Sequence, residues 1–372
     1  MILPLSALAV DGYRSVRSIG LPIGHLTVLV GRNGVGKTNL YRALELLAAA
    51  ARGTLTLELA EEGGLESVLW AGPRPRGKPV RLRLGAQLGD LEYAVEIGLP
   101  NPAEAAISVT EPLVKTETLL HRAGGGTPTI MMKRQGPSVW LRDEDGKRQT
   151  YEHALLASET ALASFQDTAR YPELDLVRRA LLDWRFYHGF RTDKASPIRR
   201  PGLAVTAPTL SSDGGDLAAA LATVMRIRGE APAIEAAIDD AFPGARLEVE
   251  IDRGRVQLGL HLADMARPLG AHELSDGTLA YLCLIAALLS YRLPAFIALN
   301  EPESSLHTDL IRPLARLIAA ASERSQLWVV THSRELSEAL EEEAGAAPRV
   351  VVKDDTGTWI EGLKLTGEFR ED

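Results

Sequence analysis

The sequence predicts an α/β fold in which a mainly parallel sheet carries an inserted antiparallel β meander and a helical lobe. Three observations lead there. The last hundred residues alternate strictly between helical and strand patterns, and parallel neighbours need such crossover helices. An apolar stretch, Leu26 to Val30, is followed almost at once by an amphipathic helical pattern. Residues 79 to 150 instead alternate at period two between turn-rich breaks, the pattern of antiparallel strands.

Leu3 to Val10 is strand-like, and Leu26 to Val30 (LTVLV) is a second, fully apolar strand. Leu40, Ala43, Leu44 and Leu47 recur at i, i+3, i+4 and i+7, which predicts a helix from Lys37 to about Ala50. Val80, Leu82 and Leu84, then Tyr93, Val95 and Ile97, mark the meander. Its breaks fall at Gly89-Asp90, Asn101-Pro102, Gly124-Gly125-Gly126 and Asp145-Gly146. A helical pattern returns at Pro172 and gives way to an aromatic strand, Trp184 to Phe190. Residues 191 to 213 read as an ordered loop, basic at first, followed by helices at 213 to 228 and 231 to 241 and strands near 246 to 252 and 254 to 262. The remainder reads helix 275 to 290, strand 295 to 299, helix 308 to 322, strand 326 to 331, helix 333 to 344 and strand 348 to 353. Four segments result: 1–78, 79–150 (the meander), 151–245 (the helical lobe with its basic loop) and 246–372.

Composition narrows the function classes. The 372 residues carry 41 Lys and Arg against 49 Asp and Glu, a formal charge of −8, which disfavours a polyanion binder using its whole surface. Hydrophobic content of 45% with 24% charge is that of a globular chain, neither disordered nor membrane-embedded. No apolar run is long enough to span a bilayer, and the N-terminus lacks a signal-peptide pattern. The single cysteine, Cys283, excludes an intrachain disulfide and a cysteine-based zinc site. A cytoplasmic protein with no membrane partner is therefore expected. The chain shows no internal repeat and no heptad run long enough for a coiled coil.

The chemistry is concentrated in four motifs. Gly31-Arg32-Asn33-Gly34-Val35-Gly36-Lys37-Thr38 fits the phosphate-loop pattern G-x-x-x-x-G-K-[ST], between an apolar strand and an amphipathic helix as its mechanism requires. Its glycines let backbone N–H groups face phosphates, and the helix N-terminus adds positive potential. Lys37 would bridge the β- and γ-phosphates, and Thr38 would bind Mg²⁺. Pro294 to Glu303 (PAFIALNEPE) is an apolar strand ending in acidic residues, able to bring a carboxylate to a metal and a base to a water; Asn300 holds the first acidic slot and Glu301 the second. Trp328 to Ser333 (WVVTHS) places His332 at another strand end, the rim where parallel sheets bind ligands. Glu273 to Thr278 (ELSDGT) opens a helix, where Ser275 or Asp276 with Gly277 is either an ordinary N-cap or an anion site.

Together GRNGVGKT, LSDGT, ALNEPE and THS resemble the ATPase heads of the ABC superfamily, and within it the RecF, SMC and overcoming-lysogenization group. Over nearly its whole length the chain is also similar to the stand-alone "predicted ATPase" family, through phrases such as WRFYHGFR, SSDGGDLAAAL and LSDGTLAYL. The resemblance implies a P-loop NTPase fold of ABC-head type, with ATP and Mg²⁺ as ligands and an ATP-dependent homodimer joined head to tail. In such heads Ser275, Asp276 and Gly277 of one subunit would close on the γ-phosphate held by the other subunit's Lys37. Glu301 would polarise the water, His332 would hold the γ-phosphate, and Ser304 to His307 would link the two sites. Asn33, Gly34, Val35, Gly36, Thr38 and Asn39 complete the implied nucleotide contacts, with Arg14 matching a basic residue that approaches the nucleotide. Gln166 is the candidate metal-sensing glutamine, beside Thr38 and Asn300. One departure stands out: Asn300 replaces the usual acid and gives up a unit of charge at the metal. Neither the long coiled coils nor the nuclease domain that some RecF-type heads carry is expected here.

The leading expectation is an ATP-hydrolysing, ATP-dimerised switch acting on DNA or on a maintenance or defence partner. Two basic stretches, Arg191, Lys194, Arg199 and Arg200, and Arg74, Arg76, Lys78, Arg81 and Arg83, are candidates for phosphate contact, with a solvated basic face as the competing explanation. The alternative is a slow nucleotide-sensing module that controls a separate effector protein. A transporter ATPase fits less well, given the meander and the PE and THS forms.

Overall fold

The computed structural model describes residues 3–73, 80–101, 106–124, 126–228, 231–364 and 366–369. The chain divides into two units, the first formed by residues 1–24, 31–184 and 349–372, the second by 25–30 and 185–348.

The second unit holds a parallel sheet in the order Arg185–Tyr187, Phe296–Asn300, Gln326–Thr331, Leu26–Val30. Its strands read as nearly unbroken apolar runs, as buried parallel strands do, and every residue of Gln326–Thr331 is buried. Helix Asp276–Leu288 is buried along its whole length from Leu279, with Cys283 inside it, so it shows no polar face. Helices Ile311–Ser322 and Arg334–Ala344 are amphipathic and bury Leu314, Ile318, Leu336 and Leu340 in the same core. The register pairs Asn300 with Val330 and Thr331 with Val30, so the carboxyl ends of these strands lie at one edge.

The first unit is built on an eight-stranded antiparallel sheet. Its order is Val16–Pro22, Leu5–Tyr13, Leu82–Leu88, Leu91–Gly98, Leu113–His121, Thr129–Gln135, Ser138–Arg142, Arg148–Tyr151. The expected meander is present, and the N-terminal strands extend the same sheet. Helix Lys37–Arg52 belongs to this unit and buries Leu40, Tyr41, Leu44 and Leu47. Strand Arg349–Asp354 turns back into an antiparallel hairpin with Gly357–Ile360.

Two expected elements are shorter than their patterns. The aromatic strand pairs only over Arg185–Tyr187, because its neighbour ends at Asn300, where Glu301 takes a left-handed backbone with φ 49°. The helix expected from 213 begins at Leu217 and continues as a π-helical turn over Val224–Arg228. Ahead of it, the Asp213 carboxylate accepts from Gly215 N and the Ser211 hydroxyl, and Asp216 accepts from Ser211 N; such side-chain bonds compete with helix. Among the described residues no helix is long and apolar enough to cross a membrane.

Candidate functional site

In the first unit, Gly31 to Gly36 forms a tight loop leading into helix Lys37–Arg52. Gly34 has φ 81° with open space where a Cβ would stand, so it is the backbone that requires glycine. Gly36, at the N-cap with φ 109°, is constrained by space as well: a Cβ there would lie 2.1 Å from Thr358 Oγ1. The buried Lys37 ammonium donates to the carbonyls of Gly31 (2.5 Å) and Arg32 (3.1 Å), which arches it back over the loop. Asn33, Gly34 and Thr38 are exposed, and Val35 is half-buried. An open, glycine-lined cradle at a helix N-terminus fits a polyphosphate.

Three polar groups buttress this loop. Asn39 Nδ2 donates to Ser15 Oγ (2.7 Å), the Ser15 and Thr358 hydroxyls bond at 2.7 Å, and Thr358 Oγ1 donates to Val35 O (2.7 Å). Arg14, next to Ser15, has φ 48° and places Nη2 2.6 Å from Glu62 Oε2. The same carboxylate accepts from the Tyr13 phenol (2.8 Å), which burial and the Glu62 charge push above its ordinary range. Gln166 is exposed in the loop after Ala161–Ser164 and donates to Ala163 O (2.9 Å).

In the second unit, the acidic strand end gathers four side chains. Glu301 keeps its N–H on Val330 O (2.7 Å) while its backbone takes the strained left-handed conformation. His332 Nδ1 lies 3.4 Å from Glu301 Oε1 and 3.7 Å from Glu303 Oε1. Glu303 is buried; one oxygen accepts from the Thr331 hydroxyl and from Ser333 N (3.3 Å), and the other has no partner among the described residues. Asn300 Oδ1 is likewise buried without a hydrogen-bond partner. A buried orphan oxygen needs an ion or a water, and an amide oxygen is a proper ligand for a hard cation. The residues present therefore fit Mg²⁺ or its waters.

Ser275 caps helix Asp276–Leu288 by accepting from Thr278 N (3.1 Å), so the ordinary capping role is realised. A Cβ on Gly277 would stand 2.8 Å from Ser305 O, which packs this helix start directly on the 304–307 loop. Sequence reasoning missed what holds the turn before it. Arg199, with a side chain only 10% exposed, donates to Leu274 O (2.7 Å), Ala271 O (3.2 Å) and Thr192 O (2.7 Å) and pairs with Asp276 (2.7 Å). Glu273 accepts two bonds from Arg267 and one from Gly270 N; these bonds, the Arg267 pair foremost, hold its carboxyl down to about 2.

The basic stretches are thus partly spent inside the chain. Arg199 binds the turn before Ser275, Arg191 pairs with Asp193 (2.5 Å), and Arg81 lies 3.4 Å from Glu96. Lys194, Arg200 and Arg83 are exposed, whereas Arg74, Arg76 and Lys78 lie outside the described residues.

Residues 26–100 and 158–338 match the family described as "AAA domain, putative AbiEii toxin, Type IV TA system". No curated protein sequence matches the chain. Among solved structures, it is similar to an Smc head bound to the C-winged helix domain of ScpA, at 16% identity and a TM-score of 0.53 over 97% of this chain and 98% of that one. A second is the Smc head domain with an extended coiled coil bound to the C-terminal domain of ScpA from Pyrococcus furiosus, at 14% identity and a TM-score of 0.50 over 97% and 96%. These likenesses establish a P-loop ATPase fold of SMC-head type.

Proposed function

The chain belongs to this AAA-domain family, and on that premise we propose that it is an ATP-hydrolysing head that closes as a homodimer around nucleotide. Its proposed setting is DNA maintenance, repair or defence; the family's description as a toxin of a Type IV toxin–antitoxin system supports the defence side. The observation that carries the reading is the strand end, where Glu301 sits 3.4 Å from His332 beside the orphan oxygen of Asn300. Lys37 would hold the β- and γ-phosphates, Thr38 and Asn300 would hold Mg²⁺ or its waters, and Glu301 would orient and polarise the attacking water. His332 would contact the γ-phosphate, with Ser275, Asp276 and Gly277 of a second copy closing over it. Bound Mg²⁺ supplies charge neutralisation on the phosphates.

Asn300 also favours a second reading, a slow nucleotide sensor controlling a separate effector, since an amide leaves one negative charge off the metal. Direct DNA contact draws less support, because Arg191 and Arg199 are engaged within the chain. Single-turnover kinetics on Glu301→Gln test the core of the proposal. Hydrolysis should fall to background while ATP stays bound and light scattering reports a persistent dimer; hydrolysis at the parent rate would remove Glu301 from the mechanism. Turnover with and without DNA separates the switch from the sensor.

A further inference from the structure

We propose that Thr358 and Ser15 are positioning residues of the phosphate cradle, so that the C-terminal hairpin is part of the nucleotide-binding machinery; this rests on the nucleotide-binding reading above. Thr358 belongs to no motif of the sequence and Ser15 only follows Arg14 in it, yet both press on the loop. Thr358 Oγ1 and Ser15 Oγ are the two oxygens nearest to where a Gly36 Cβ would stand, at 2.1 and 2.8 Å. On the other strand of the hairpin, Val351 O would lie 2.6 Å from a Cβ on Gly31. The hairpin therefore touches the loop at both ends.

The ends of the polar chain fix its direction. A carbonyl can only accept, so the Thr358 hydroxyl spends its single proton on Val35 O. Ser15 must then donate to Thr358 Oγ1, and it accepts in turn from Asn39 Nδ2. Three bonds run one way, each hydroxyl donating once and accepting once, an arrangement in which neighbours polarise one another. Thr358 N–H adds a bond to Ser15 O (2.7 Å), so backbone pairing as well as rotamer choice sets the hydroxyl's position.

The consequence falls on the peptide plane between Val35 and Gly36. That bond is trans, so its C=O and N–H point to opposite sides. Holding the Val35 carbonyl toward Thr358 turns the Gly36 N–H away from the hairpin. Aimed amides at the start of a helix are what an anion cradle consists of. Without the hydroxyl, the Val35 carbonyl loses its anchor and the plane is free to rotate, at the one position where glycine offers little resistance.

Calorimetric titration of the full chain with MgADP and with the Mg complex of a non-hydrolysable ATP analogue tests this. Thr358→Val should weaken both by about tenfold, and equally, because loop amides hold phosphates that the two ligands share. Thr358→Ser keeps the hydroxyl and should restore most of the affinity. Amide exchange at residues 34–37 of the nucleotide-free protein should be faster in Thr358→Val than in the parent. Parent-like affinity in Thr358→Val, or no rescue by Thr358→Ser, overturns the inference. Should Thr358→Val fail to fold, Ser15→Ala takes its place, and unchanged affinity there overturns it equally. A parent chain that binds neither nucleotide defeats the function proposed above as well, whereas a binding parent with an indifferent Thr358→Val defeats this inference alone.

Discussion

Replacing Glu117 by Gln should cost the first unit about 3–5 kcal/mol, the range for breaking a buried ion pair from one side. The carboxylate is fully buried in strand Leu113–His121 and receives three donors: the Tyr93 phenol (2.9 Å), Leu162 N (2.9 Å) and Ala161 N (2.6 Å). Arg134 Nη1 approaches to 3.7 Å and is itself fully buried, donating to the carbonyls of Gly136 (2.7 Å), Leu156 (2.9 Å) and Glu159. Burial pushes the Glu117 carboxyl up and the Arg134 guanidinium down, each opposed by the other's charge, so neither is comfortable without its partner. A glutamine has the same shape but can present oxygen on one side only. Its NH₂ would face either Ala161 N–H and Arg134 or the other two donors, which strands at least one buried N–H at about 1–3 kcal/mol. With a urea slope of about 3 kcal/mol per M, the midpoint should move down by about 1–1.7 M. Arg134→Met should also destabilise, and the double variant should cost less than the two single losses combined, which a double-mutant cycle reads directly. The network matters to the site because Thr160, at the start of the helix Glu117 caps, bonds Ala50 O (2.7 Å) near the end of the phosphate-loop helix. A Glu117→Gln midpoint within 0.3 M of the parent, about 1 kcal/mol on that slope, would refute the reasoning.

Three further outcomes are expected. Lys37→Ala should weaken MgATP binding by about tenfold or more, the scale of a lost charge-assisted contact, and calorimetry showing unchanged affinity would remove the phosphate-loop assignment. Arg199→Met should destabilise the second unit by about 2–4 kcal/mol in chemical unfolding, because it strips a nearly buried set of charge-assisted bonds from the turn before Ser275; a neutral result would mean that the turn holds its own shape. Glu273 should titrate at about 2 by carboxyl NMR, below the ordinary value of about 4.3, and Arg267→Ala should return it toward that value. Because its folded pKa is depressed, the Arg267 clamp contributes stability above the ordinary pKa and loses it as pH falls toward 2; a parent midpoint near 4 would contradict the clamp.

Legibility in the sequence followed the range of the interactions. The phosphate loop could be read because strand, glycines, lysine and helix lie within a few residues of one another, and the strand ends at Asn300 and Thr331 because buried parallel strands are uniformly apolar. Arg199 could be read only as basic, since apart from Thr192 the carbonyls and the carboxylate it binds lie 72 to 77 residues downstream. Thr358 offered no signal at all: its partners Val35 and Ser15 are 323 and 343 residues away, and a threonine in a short hairpin is unremarkable. The helix starts at Leu217 rather than at 213 because bonds from Ser211 and Gly215 to the Asp213 and Asp216 carboxylates close turns ahead of it.

The burial of Cys283 has a practical consequence. Burial first, and the nearby Asp216 charge second, push its thiol above the usual range, so almost none of the nucleophilic thiolate forms at neutral pH. With a single native cysteine hidden from reagents, the chain needs no preliminary engineering before site-directed labelling. A cysteine introduced at exposed Lys194 would be the sole attachment point for a dye, a spin label or a cross-linker. Distances between two copies of the proposed dimer could then be compared with and without nucleotide in the otherwise unaltered protein.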